Sequence, residues 1–180
     1  MFMRDRIALL SVLATLALAS HARAEDRQLT PHLGTPMSDA EVAKWNLTIF
    51  PDGRGLPPGH GTATEGRTLY AQKCASCHGD KGQGATAQDL VGEPKPPTAA
   101  RPSQTIGSYW PYATTVFDFI RRSMPPAAPG SLSADQVYAL TAFLLAANKI
   151  ISETDEMNAQ SLPKIKMPNR DGFIPIDAKK

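Results

Sequence analysis

The chain has 180 residues, with 19 basic and 17 acidic side chains, a formal net charge of +2 and only two cysteines. That length fits one domain with extensions. So small a net charge argues against a nucleic-acid binder, which would carry a strongly basic face.

The chain begins Met1-Phe2-Met3-Arg4-Asp5-Arg6, continues as an apolar run from Ile7 to Ala19, and then reads His21-Ala22-Arg23-Ala24. A charged start, a short hydrophobic core and an A-x-A site make a secretory signal peptide, expected over residues 1–24. The apolar run is too short to span a bilayer comfortably, though an uncleaved N-terminal anchor is the competing reading. Cleavage before Glu25 removes three arginines and one aspartate and leaves 16 basic and 16 acidic side chains, a formally neutral chain. No later stretch approaches a transmembrane length, so the processed protein is expected to be periplasmic and not membrane-spanning. Neutrality still permits weak polar docking to a protein partner.

All 16 prolines follow the signal, concentrated in Pro51–Pro58, Pro94–Pro102 and Pro125–Pro129. Proline fixes φ and removes a donor, so these stretches predict extended loops between short helices. Residues 25–61 form an N-terminal extension. In it Ser38-Asp39-Ala40-Glu41 is a capping box that opens a short helix to about Trp45. Asn46–Phe50 alternates in part and predicts an extended run, leading into the turn-rich Pro51–Gly59. Packing on the main domain and docking of a partner are both open roles for this arm.

Thr62-Ala63-Thr64-Glu65 is a second capping box and starts a helix that runs through Tyr70. Gly66, Tyr70 and Cys74 share one helical face. The glycine allows close approach of another backbone, and the last helix is the expected partner. Then comes Cys74-Ala75-Ser76-Cys77-His78, a C-x-x-C-H signal for covalent attachment of a c-type haem. Two thiols so spaced can each add to one vinyl group, and the adjacent His78 imidazole can reach the iron. A structural zinc site needs four ligands; outside the signal segment and this motif only His32 and His60 remain, at no finger-like spacing. A redox dithiol, the other reading of C-x-x-C, would need a βαβ context, and no strand run surrounds the motif.

Residues 79–107 are rich in Gly and Pro, as a loop covering one side of a haem should be. A carbonyl of this loop is expected to accept the His78 Nδ1–H and fix its tautomer. Tyr109-Trp110-Pro111-Tyr112 follows, with Pro111 suited to a first helical turn and a helical pattern to Arg122. Ala113, Phe117, Ile120 and Met124 line one side of it. Trp110 and Tyr112 are candidates for the haem edge, with plain packing as the alternative, and the Trp110 N–H for a propionate bond. Arg121 and Arg122 suit the helix C-terminus and alternatively a propionate or a partner carboxylate.

Met124-Pro125-Pro126-Ala127-Ala128-Pro129-Gly130 is a stiff loop that can present a thioether to the iron, and a Met/His pair raises the reduction potential. Methionines are more often core filler than ligands. Met37, Met157 and Met167 are the competitors, and a histidine or an open position is the other possibility. Met124 is preferred because it follows the haem motif in a proline-stiffened loop just ahead of the last strong helix. That helix opens at a third capping box, Ser133–Gln136, carries the stripe Val137, Leu140, Thr141 and Leu144, and ends near Asn148. The tail from Ser152 to Lys180 is polar without a clear period, with Lys164–Arg170 as an extended surface strap.

A capped helix into C-x-x-C-H, a proline-rich loop, a Met-Pro loop and a closing amphipathic helix, over residues 60–150, resemble a class I cytochrome c. The resemblance implies an all-α class I cytochrome c fold: short helices and Pro-rich loops around one covalently bound haem c, with N- and C-terminal extensions. The corresponding divisions are 1–24 signal, 25–61 extension, 62–150 cytochrome domain and 151–180 tail. By it Cys74 and Cys77 are the thioether sites, His78 the proximal and Met124 the distal iron ligand, and the Gly66/Tyr70 helix crosses the last helix near Phe143. More narrowly, Gly55–Gly59, Gly107–Thr115, Arg121–Pro125 and Val137–Phe143 are similar to the cytochrome subunits of sulfite and sulfur dehydrogenases. That likeness implies a monohaem subunit that performs no catalysis of its own. It would accept single electrons from a molybdenum-containing, sulfite-oxidase-type dehydrogenase and pass them to a downstream cytochrome c or oxidase. A free cytochrome c shuttle, and an open-site haem sensor or enzyme, are the alternatives.

Overall fold

Three of the helices start where a side chain closes back on the backbone. In the computed structural model, which describes residues 34–93 and 104–174, the chain divides after Trp45 into two compact units. In the first, Ser38 and Glu41 form a reciprocal cap, with Ser38 N–H donating to Glu41 Oε2 at 2.9 Å, ahead of α1 (Asp39–Trp45). None of the residues of α1 is buried. The signal-peptide expectation for residues 1–24 lies outside the described residues, as do residues 94–103 and 175–180.

The second unit, from Asn46 onward, contains the rest. Strand β1 (His60–Thr62) leads directly into α2 (Ala63–Lys73), which is capped by Thr62 and Glu65 in a complete capping box. The chain breaks at Cys74 and resumes as the single turn α3 (Ala75–His78). Helix α4 (Ala113–Ser123) follows, and α5 (Ala134–Ala147) starts at the Ser133–Gln136 capping box. Pro111 lies just outside α4, whose N-cap is Tyr112. Asn46–Phe50 forms no strand.

Helix α5 is the centre of the core: Val137 through Leu145 are all buried. An amphipathic surface helix would bury one stripe; α5 is covered on two sides, by α2 and α4. At the α2 crossing Gly66 faces Ala139 and Phe143, and a Cβ at 66 would sit 2.8 Å from Phe143 Cβ. One turn along, the Tyr70 and Phe143 rings lie 4.8 Å apart. On the other side Phe117 of α4 meets Tyr138 at 4.4 Å, and each such ring pair adds about 0.5–1.5 kcal/mol beyond area burial.

The tail departs from its polar reading. Strand β2 (Glu156–Asn158) pairs antiparallel with β1, Gly61 opposite Met157, and a 3₁₀ turn follows at Leu162–Lys164. Met157, Leu162 and Met167 are buried in the core. They are too far apart to make a period, so each is an isolated anchor in a polar segment. The segment before β1 is also fixed to the core. Tyr138 donates to Pro57 O at 2.9 Å, His60 N–H donates to Asp135 Oδ1 at 2.9 Å, and Arg122 donates to Leu47 O. Among the described residues no helix is long and apolar enough to cross a membrane.

Candidate functional site

Beside α2 and α5 lies a largely apolar cavity of about 660 Å³, partly open to solvent and within the ~300–1,000 Å³ typical of cofactor sites. Cys74, Cys77 and His78 line it from the α2–α3 corner, Met124 from the end of α4, and Trp110 from the segment before α4. Leu132, Leu140 and Leu144 supply apolar wall. Tyr112 does not line the cavity; its ring lies under the Arg170 guanidinium, 4.3 Å from the ring centroid. Trp110 packs edge-on against Phe119, 5.6 Å between centroids, and Phe119 also lines the cavity.

The corner forms because α2 ends one residue too early to continue. Cys74 N–H still donates to Tyr70 O, but Cys74 leaves helical geometry, and its own carbonyl accepts from Cys77 and His78 N–H. Gly79, at φ 80°, then turns the chain sharply, a conformation that favours glycine. Tyr70 reaches across this turn and donates its hydroxyl to Gly79 O at 3.0 Å. Burial pushes that hydroxyl up to about 12, so it remains a donor at all ordinary pH.

The His78 ring is oriented from the loop that follows. Its Nδ1 lies 2.7 Å from the Gln88 carbonyl oxygen. A carbonyl only accepts, so Nδ1 carries the proton and Nε2 keeps its lone pair for a metal. The sequence placed the acceptor in the 79–107 loop without naming it; nothing in the residue types could have selected Gln88, since the acceptor is main chain. The Gln88 side chain, also on the cavity wall, donates to Gln104 Oε1 at 3.2 Å.

Burial pushes the Cys74 thiol up to about 11. Half-buried Cys74 and exposed Cys77 both stand at the wall of the largely apolar cavity, beside an imidazole whose Nδ1 is already bonded, an arrangement suited to holding a porphyrin. Of the competing methionines, Met157 and Met167 are buried in the core and do not line the cavity. Met37 belongs to the N-terminal unit. Met124 does line the cavity, and the peptide bond that follows it, Met124–Pro125, is cis. The cation pair is split. Arg122 is tied to Asp118 Oδ1 at 2.7 Å, one helical turn away, and neither Arg121 nor Arg122 lines the cavity.

Short helices crossing at a glycine, a Cys-x-x-Cys-His corner and an apolar cavity with a thioether at its wall define a class I c-type fold. The cytochrome c family model matches residues 63–148. The structure is similar to that of the sulfane dehydrogenase SoxCD from Paracoccus pantotrophus, with a TM-score of 0.77 and 40% identity over 82% of this chain and 73% of that one. In sequence it is 35% identical over 110 residues to a thiosulfate dehydrogenase of Stutzerimonas stutzeri (strain A1501), covering 56% of this chain. The chain spans about a third (35%) of that protein's length.

The chain belongs to the cytochrome c family. It is an electron-transfer cytochrome related to those of sulfur-compound dehydrogenases, and the family carries covalently bound haem c.

Proposed function

We propose that the chain is a periplasmic monohaem cytochrome and the electron-accepting subunit of a sulfur-compound dehydrogenase of the molybdenum, sulfite-oxidase type. One observation carries the site assignment: a single cavity is lined by both thiols, by His78 with its Nε2 free and by Met124, while Met157 and Met167 are buried elsewhere. In this reading Cys74 and Cys77 hold the haem by thioether bonds, His78 is the proximal ligand through Nε2, and Met124 is the distal ligand through its sulfur. Haem supplies one-electron chemistry at its iron. The chain's part is to orient the imidazole through Gln88 and to offer a soft thioether that favours the reduced state. Leucine and aromatic side chains make the wall largely apolar. One C-x-x-C-H and no further cysteine support one haem. The N-terminal signal pattern supports export, which such maturation requires. The likeness to the SoxCD chain over most of its length supports the dehydrogenase partner.

The test begins with the protein purified after expression with its signal. A denatured, reduced sample should show one c-type haem per chain, and mass spectrometry should show that it starts at Glu25. Met124→Ala should lower the reduction potential and open the iron to added ligands; an unchanged potential and spectrum would remove Met124 from the site. Co-purification from the periplasm with a molybdenum-containing protein supports the dehydrogenase reading. Isolation free of any such protein, together with no reduction by one in the presence of a sulfur oxyanion, would favour the free shuttle.

A further inference from the structure

The tail beyond β2 lies outside the stretch that the family model matches, yet it reaches the cavity wall. Three contacts converge on one short segment. Asn169 Nδ2 donates to Tyr109 O at 2.7 Å, and the Phe173 ring meets the Tyr109 ring edge-on at 5.2 Å. The Arg170 guanidinium caps the Tyr112 ring at 4.3 Å. Between those two tyrosines stands Trp110, and both Tyr109 and Trp110 line the cavity. The tail is itself anchored just upstream, by Met167 buried at 3% exposure and by Leu162 and Met157 before it.

On the side of the core, Tyr109 N–H donates to Thr105 O at 3.1 Å, Tyr112 O accepts from Thr115 N–H at 3.2 Å, and Trp110 packs on Phe119. Residues 109–112 run from the last residue of a turn to Tyr112, the N-cap of α4, which makes no side-chain cap hydrogen bond. The donor from Asn169 and the two ring contacts cover the same segment from the tail.

We infer that residues 167–173 are a positioning strap: they press the Tyr109–Tyr112 segment, and with it the Trp110 side chain, against the cavity, excluding water and competing ligands from the haem. The inference rests on the haem reading above. Asn169, Arg170 and Phe173 do not themselves line the cavity; they act through Tyr109 and Tyr112, and so are positioning residues.

The test uses the full-length holoprotein and two readouts that loss of fold stability alone would not move together: the affinity of the ferric form for added imidazole and the reduction potential. Asn169→Asp keeps the side chain's size and replaces the donor with a carboxylate that repels the Tyr109 carbonyl. Imidazole should bind roughly two- to tenfold more tightly, the range expected for losing one hydrogen bond. The potential should fall as water reaches the cavity. Arg170→Ala should act in the same direction, and Arg170→Lys should restore part of the effect by keeping a cation over Tyr112. Glu153→Ala removes an ion pair with Arg67 away from this segment and should change neither readout. Phe173→Ala, at a half-exposed position that tolerates substitution, gives the same reading should Asn169→Asp not fold.

Unchanged imidazole affinity and potential in folded Asn169→Asp, Arg170→Ala and Phe173→Ala proteins would overturn the inference. Equal shifts in Glu153→Ala would overturn it too, reducing the tail to general stabilisation. Failure of the underlying haem reading would show differently, as wild-type protein without a c-type haem spectrum.

Discussion

The α2–α5 crossing offers the sharpest energetic test, because two effects of opposite sign meet at Gly66. In an exposed helix interior, Gly→Ala stabilises by about 1 kcal/mol through helix propensity. Here the added methyl would lie 2.5 Å from the Ala139 carbonyl carbon, nearer still to its oxygen, and 2.8 Å from Phe143 Cβ. Carbon–carbon contacts settle at about 3.5–4.0 Å, so the two helices would have to part by about 1 Å. Most of the obstruction is main chain and cannot rotate away. Separation would also loosen the Tyr70–Phe143 ring contact. Overpacking of a close contact costs about 1–3 kcal/mol and occasionally more. A backbone clash belongs at the upper end, so Gly66→Ala should destabilise by about 2 kcal/mol net of propensity. At about 2–4 °C per kcal/mol for a chain of this size, the melting temperature followed by far-UV circular dichroism should fall by about 4–8 °C. A variant that melts at or above the wild-type temperature would refute the close crossing.

Tyr70 and Tyr138 are both buried, and burial pushes each hydroxyl up to about 12. The unfolded chain ionises near pH 10, before the folded one. Their contribution to stability is therefore intact below pH 10 and lost as pH rises toward 12. Denaturant midpoints measured from pH 8 to 12 should fall in that window, and Tyr138→Phe should flatten the decline; an equally steep decline in the variant would count against it. Ser133→Ala removes the α5 capping box and should cost about 1 kcal/mol, read from urea titration as a lower midpoint at unchanged slope. Tyr70→Phe leaves the Gly79 carbonyl without its buried donor and should cost about 1–3 kcal/mol, with retention of covalent haem as the control that the corner still forms.

Local signals in the sequence carried over directly. The three capping boxes at Ser38, Thr62 and Ser133 each close within four residues, so the residues that make them are adjacent in the chain, and the structure shows all three. The Gly66–Tyr70 face was legible because helical spacing alone puts both on one side, and a small residue beside an aromatic implies a close neighbour. The class I cytochrome c fold came through the resemblance carried by Cys74–His78, the Pro-rich loop after it, the Met124–Pro125 loop and the closing helix. The unreadable parts are those decided over long separations. Met157, Leu162 and Met167 look like isolated apolar residues in a polar tail until β2 pairs with a strand about a hundred residues earlier. Tyr112 read as a haem-edge residue because it stands next to Trp110. It turns to Arg170 instead, 58 positions away, and no local pattern announces that contact.

The β1–β2 ladder sets His60 opposite Asn158 and Thr62 opposite Glu156. The whole haem-bearing stretch therefore enters and leaves at one place on the surface, through two strands that are already hydrogen-bonded to each other. Closely spaced ends are the arrangement in which a domain is readily inserted or fused. Because Leu47 and Pro57 before the ladder and Leu162 and Met167 after it also pack onto that stretch, the unit a longer polypeptide could carry is the ladder together with both flanks.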